Sequence, residues 1–102
     1  MKKQIIKIAL YDGWRKLPKG VFQKGIRNSA DFCVYNYLSQ KYSTNLNLLH
    51  RVALDVIDEM DGYEDKYFAI LDALQQRPIR GKYTHLIKAV ADGIDYLNTK
   101  KI

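Results

Sequence analysis

The sequence is short of the residues that cross-link, punctuate and catalyse. It holds a single cysteine, Cys33, so no intrachain disulfide can form. Cys33 stands in the apolar stretch Phe32-Cys33-Val34-Tyr35, without CxxC spacing and with no Lys or Arg in the four residues after it. It reads as a buried small hydrophobe rather than a reactive thiol. The two histidines, His50 and His85, fall in neither an HxxxH nor an HExxH pattern, so no metal is expected. His50 reads as a structural ring, half-buried at the edge of an apolar helix face, and His85 as exposed. Ser29, Ser39 and Ser43 are the only serines, all near expected turns or caps, and no Ser/His/Asp grouping suggests a nucleophile. Lys19-Gly20 and Lys24-Gly25 lack the spacing of a phosphate loop. The acids Asp55, Asp58, Glu59, Asp61, Glu64 and Asp65 lack calcium-loop spacing, and the first three share the solvent face of a helix. No catalytic residue, metal or cofactor is expected, and the chain reads as a binding protein rather than an enzyme.

Long apolar runs are also missing. Ile5-Ile6-Lys7-Ile8-Ala9-Leu10 is short, is broken by Lys7 and is followed by no small-residue cleavage site. Neither a leader peptide nor a membrane span of about 18 apolar residues is expected, and the expected setting is cytoplasmic. With two prolines, six glycines, no repeat and no linker, residues 1–102 read as a single domain.

What is present is a globular composition, 47% hydrophobic and 27% charged, with eight tyrosines as the dominant aromatics. Tyrosine joins apolar area to a polar tip and suits half-buried faces and interfaces. The net charge of +6 is uneven: residues 1–51 carry ten Lys/Arg against Asp12 and Asp31, while residues 52–102 carry seven against nine acids. A basic half can attract an acidic partner, nucleic acid or the acidic half of a second copy, or can be a solvated surface.

Residues 2–11 predict a short amphipathic helix with Ile5, Ile6, Ala9 and Leu10 inward, ending near Asp12-Gly13 with glycine as the left-handed cap. Trp14 then anchors the turn in the core. Pro18, Gly20 and Gly25 punctuate residues 15–28, with a short strand-like Val21-Phe22-Gln23. Residues 31–38 read as a strand pairing back onto 19–25, with Phe32, Val34 and Leu38 on one face; the competing reading is a helix capped by Ser29. Residues 46–60 give the clearest helix, with an inner stripe of Leu46, Leu49, Val52, Ala53, Val56, Ile57 and Met60. Thr44-Asn45 offers N-caps and Gly62 a C-terminal stop. Residues 64–77 read as a helix stopped by Pro78, with a strand over Tyr67–Leu71 as the alternative. Residues 84–98 form a last helix in which Gly93 suits a close approach. The fold class is α+β: a small sandwich of an N-terminal helix, a short β-hairpin and two or three helices packed on it.

Gly13-Trp14 after a short helix, followed by Tyr42-Ser43-Thr44-Asn45-Leu46-Asn47-Leu48-Leu49-His50, resembles the phage ABA-sandwich proteins. These are small phage and prophage proteins named for helix–sheet–helix layers, often with an early Gly-Trp and a Y-(S/T)-x-(D/N)-L-N-x-(M/L)-H-like lead into the main helix. Tyr96-Leu97-Asn98-Thr99-Lys100 is loosely similar to their ending. Asn45 stands where members commonly have aspartate, and the tryptophans usual in their sheet are missing here. The resemblance implies the sandwich fold and a phage-like origin, and carries no activity or site residue.

One cluster has binding character: Trp14, Arg15, Lys16, Lys19, Lys24 and Arg27, with Phe22 among them. Cations beside aromatics can hold nucleic acid, although lysines on an edge hairpin also block unwanted strand pairing. The expected function is a phage- or mobile-element-type accessory protein acting by binding a protein partner or a second copy. The alternative is a small nucleic-acid-binding module using this basic segment.

Overall fold

The computed structural model describes residues 1–25, 30–60 and 65–100. The first helix, α1 (Lys2–Tyr11), buries Ile5, Ile8 and Ala9. Those positions follow the 5/8/9 spacing of one helical stripe. Leu10, expected inside, is exposed, and Ile6 is half-buried. Gly13, at φ +104°, turns the chain out of the helix. Trp14 follows it into the core with 3% of its surface exposed.

Three strands come next: β1 (Arg15–Lys16), β2 (Val21–Lys24) and β3 (Asp31–Val34), antiparallel in the order β1-β2-β3. The expected hairpin is there, with Val21 opposite Val34, Phe22 opposite Cys33, Gln23 opposite Phe32 and Lys24 opposite Asp31. The two-residue β1 adds a third strand on its far side. Phe22 is buried and Cys33, its partner, packs against the core, so this pair marks the inner face of the sheet. Phe32 and Val34 therefore face outward by strand alternation and, contrary to the strand reading, do not share a face with buried Leu38.

The strand reading of 31–38 holds only to Val34. From Tyr35 the chain is helical, as α2 (Tyr35–Thr44), which buries Leu38, Tyr42 and Ser43. Leu38 and Tyr42 are one turn apart and so share the inward face of this helix. This extra helix makes four after the sheet among the described residues rather than two or three. The fold class is otherwise as expected, a small α+β domain.

The helix α3 (Leu46–Asp58) starts at Asn45, whose Oδ1 accepts a hydrogen bond from the Leu48 amide at 3.1 Å. Leu49, Val52, Ala53 and Val56 are buried along its expected stripe, with Leu46 exposed at its start. Tyr67–Leu71 is helical, within α4 (Asp65–Leu74). The last helix, α5 (Thr84–Lys100), buries Leu86, Ile87, Val90, Ala91, Ile94 and Leu97 and packs on α1, α3 and α4. At Gly93 a Cβ would come within 2.9 Å of Ile70 Cδ1, 3.0 Å of Val56 Cγ1 and 3.1 Å of Met60 Cε, so the close approach expected of this glycine is real. The caps proposed at Ser29 and Gly62 lie outside the described residues.

Candidate functional site

Two polar clusters flank Trp14, and they are built differently. The first centres on Asp12, the C-cap of α1. A carboxylate there opposes the helix dipole and needs compensating donors. It has them: the Tyr42 hydroxyl donates to Oδ2 at 2.6 Å, and Arg51 Nη2 lies 2.8 Å from Oδ1 and 2.9 Å from Oδ2. Lys24 Nζ adds a contact at 3.3 Å. Trp14 Nε1 donates to the Tyr42 oxygen at 3.1 Å, which ties β2, α2 and α3 to the end of α1. The Asp12 side chain is only 8% exposed. Burial first, and then the hydrogen bond to Asp12, pushes the Tyr42 phenol well above its ordinary range and holds it protonated as a donor. Every member has its partner inside the protein, so the arrangement is a structural clasp.

The second cluster is a groove of about 400 Å³ beside β3, lined by all of Asp31, Phe32, Cys33 and Val34, by Tyr37 and Lys41 of α2, and by Trp14. Phe32 is 62% exposed, Val34 55% and Tyr37 54%. β3 is an edge strand, bonded to β2 alone, and its backbone makes no hydrogen bond to any other described element. The Lys41 ammonium lies 5.6 Å from the Trp14 ring centre and 5.9 Å from that of Tyr37. Among the described residues no carboxylate is within ion-pair distance of it. Asp31 is in register with Lys24 across the strands, but the Lys24 ammonium is held by Asp12. Cys33 is half-buried in this groove rather than buried in the core. Burial raises its thiol pKa; Lys41 opposes the rise and Asp31 adds to it. No local spacing could have paired Lys41 with Cys33, because the two turns of α2 between them bring it back.

The basic–aromatic segment is not gathered on one surface. Trp14 is in the core and offers no ring face for stacking on a base. Arg15 and Lys16 are neighbours on β1 and so point to opposite faces. Arg15 donates to Gln23 at 3.1 Å on the outer face. Lys16 lines a separate groove of about 660 Å³ between α1 and α5, with Lys3, Lys7, Ile6, Leu10 and Ile94 among its walls. Lys19 is exposed at the tip before β2 with φ +64°, and Lys24 is taken up by Asp12. Arg27 lies outside the described residues. His50 is exposed on α3, not half-buried, because the stripe turns inward through Leu49 and leaves its neighbour on the rim. His85 is exposed as expected.

Among the described residues no group of three His, Cys, Asp or Glu is placed to hold a metal ion, and no helix is long and apolar enough to cross a membrane. No protein-family model matches the chain, and no curated protein and no solved structure matches it.

Proposed function

We propose that this is an accessory protein that works by binding another polypeptide, and that it does so at the β3–α2 groove. The observation that carries the reading is the outer edge of β3, where backbone groups without a pairing partner among the described residues stand beside exposed Phe32, Val34 and Tyr37. Natural edge strands are blunted by lysine, proline or a bulge, because an open edge is a template for a further strand. β3 carries none of these and shows apolar side chains instead. Contiguous apolar surface of this kind marks interaction sites. A role in nucleic-acid binding has less support, since the basic side chains point to several surfaces and the tryptophan is enclosed. An accessory role fits the phage-like origin that the Gly13-Trp14 and Tyr42–His50 resemblance implies.

The test is selection of a random peptide display library on the full chain, with enriched clones then measured on wild type and on Phe32→Asp/Val34→Asp. Clones that bind wild type and lose the double variant, with its circular dichroism unchanged, support the reading. Enriched clones indifferent to the double variant, or to the milder Phe32→Thr/Val34→Thr, would overturn it.

A further inference from the structure

We infer that the occupant of the β3–α2 groove is a short extended segment bearing an acidic side chain, which adds a strand to β3 and sets its carboxylate against Lys41. The inference rests on the binding role proposed for this groove and goes on to name the occupant.

Main-chain pairing follows from the open edge. An added strand satisfies the outward N–H and C=O groups of β3 and alternates its side chains between the groove and solvent. The length of the site argues for a short segment rather than a second copy. The edge is four residues long and the groove has seven lining residues, whereas a stable dimer needs about 20–30 residues on each side. Charge selects the sign. Both a carboxylate and an ammonium line the groove, Asp31 at the start of β3 and Lys41 on α2 near Cys33. Among the described residues Lys41 has only the faces of Trp14 and Tyr37. The ammonium of this half-buried lysine lies beside ring faces and gains a charge-assisted contact from a carboxylate brought next to it. The long-range field has the same sign, because the chain carries +6 and its first half supplies the excess.

Two end-capped peptides of about seven residues, long enough for one strand, make the test: one alternates valine with glutamate, its twin valine with lysine. Capping removes terminal charges, so only side chains differ. Each is titrated into the 15N-labelled full chain. The glutamate peptide should shift the amides of residues 31–34 and bind roughly three- to tenfold more tightly than the twin, the size of one partly shielded ion pair. In salt that screens the long-range field, Lys41→Gln should erase that preference and Lys41→Arg should keep it. A glutamate peptide N-methylated on its pairing edge should not bind. Equal affinity for the twins, a preference that survives Lys41→Gln, or undiminished binding of the N-methylated peptide overturns this occupant while leaving polypeptide binding at β3 standing. A dimer in sedimentation equilibrium that Phe32→Asp/Val34→Asp dissolves would also overturn it and assign the edge to a second copy. If neither twin moves the β3 amides and no library clone depends on Phe32 and Val34, the binding role itself fails.

Discussion

Lys41 and Tyr42 are neighbours on α2, yet one belongs to the open groove and the other to the closed clasp. Around Tyr42 every polar group is matched: Asp12 takes the phenol, the Arg51 guanidinium and the Lys24 ammonium, and Trp14 donates to the phenol oxygen. Around Lys41 the apolar and polar groups alike face solvent or aromatic rings. The difference separates what holds the fold from what the fold leaves open. A satisfied network rigidifies the junction of four elements, while the groove beside it leaves its side chains in contact with solvent.

Breaking the clasp should cost most. Asp12→Ala leaves the Tyr42 hydroxyl without its acceptor and two cations without a counter-charge. A loss of about 2–3 kcal/mol in urea unfolding is expected, less than for a fully buried pair because Arg51 and Lys24 stay partly solvated. A loss below about 0.5 kcal/mol would mean the clasp contributes geometry and not stability.

The next effect is in the alkaline range. The Tyr42 phenol titrates above its ordinary range in the folded protein, as does that of Tyr11, raised first by burial and then by Glu59. A raised phenol contributes stability that is full below the unfolded value of about 10 and lost as pH climbs toward the folded one. The wild type should therefore weaken above about pH 10. Tyr42→Phe should cost about 1 kcal/mol at neutral pH and show a shallower alkaline decline. Parallel alkaline curves would remove Tyr42 from the account.

The smallest effect is expected at the groove. Phe32→Thr/Val34→Thr puts a β-branched side chain at both positions of the strand and removes only exposed apolar surface. Its unfolding midpoint should stay within about 0.5 kcal/mol of wild type. A loss near that of Asp12→Ala would show the outer face of β3 to be structural and would erase the contrast between the two clusters.

How far each cluster was legible follows from its spacing in the chain. The α3 stripe and the α5 stripe could be read because helical period repeats locally, and Asn45 could be read as a cap because its partner is three residues away. The inward face of α1 was misplaced by one position because Ile5, Ile6, Ile8, Ala9 and Leu10 are all apolar, and period alone barely distinguishes the stripes. The strand-to-helix change at Tyr35 was hidden because no glycine or proline marks it. The clasp draws on residues 12, 14, 24, 42 and 51, a set with no recurring interval. Its one local signal was an acid at a helix C-terminus, where the dipole disfavours it. The groove was foreshadowed only by the apolar character of Phe32 and Val34, which share one strand face without any signal of whether it turns inward or outward.

Gly93 limits how this sequence can vary. A methyl group there would meet Ile70, Val56 and Met60 together, so no single neighbour can make room for it. Ile70→Val would clear one contact and leave the other two. Alanine would add about 1 kcal/mol of helix propensity at this site, yet it enters only where the ends of the Ile70, Val56 and Met60 side chains give way together by a few tenths of an ångström. Three side chains from α3, α4 and the turn after α3 thereby set the room left at one position of α5.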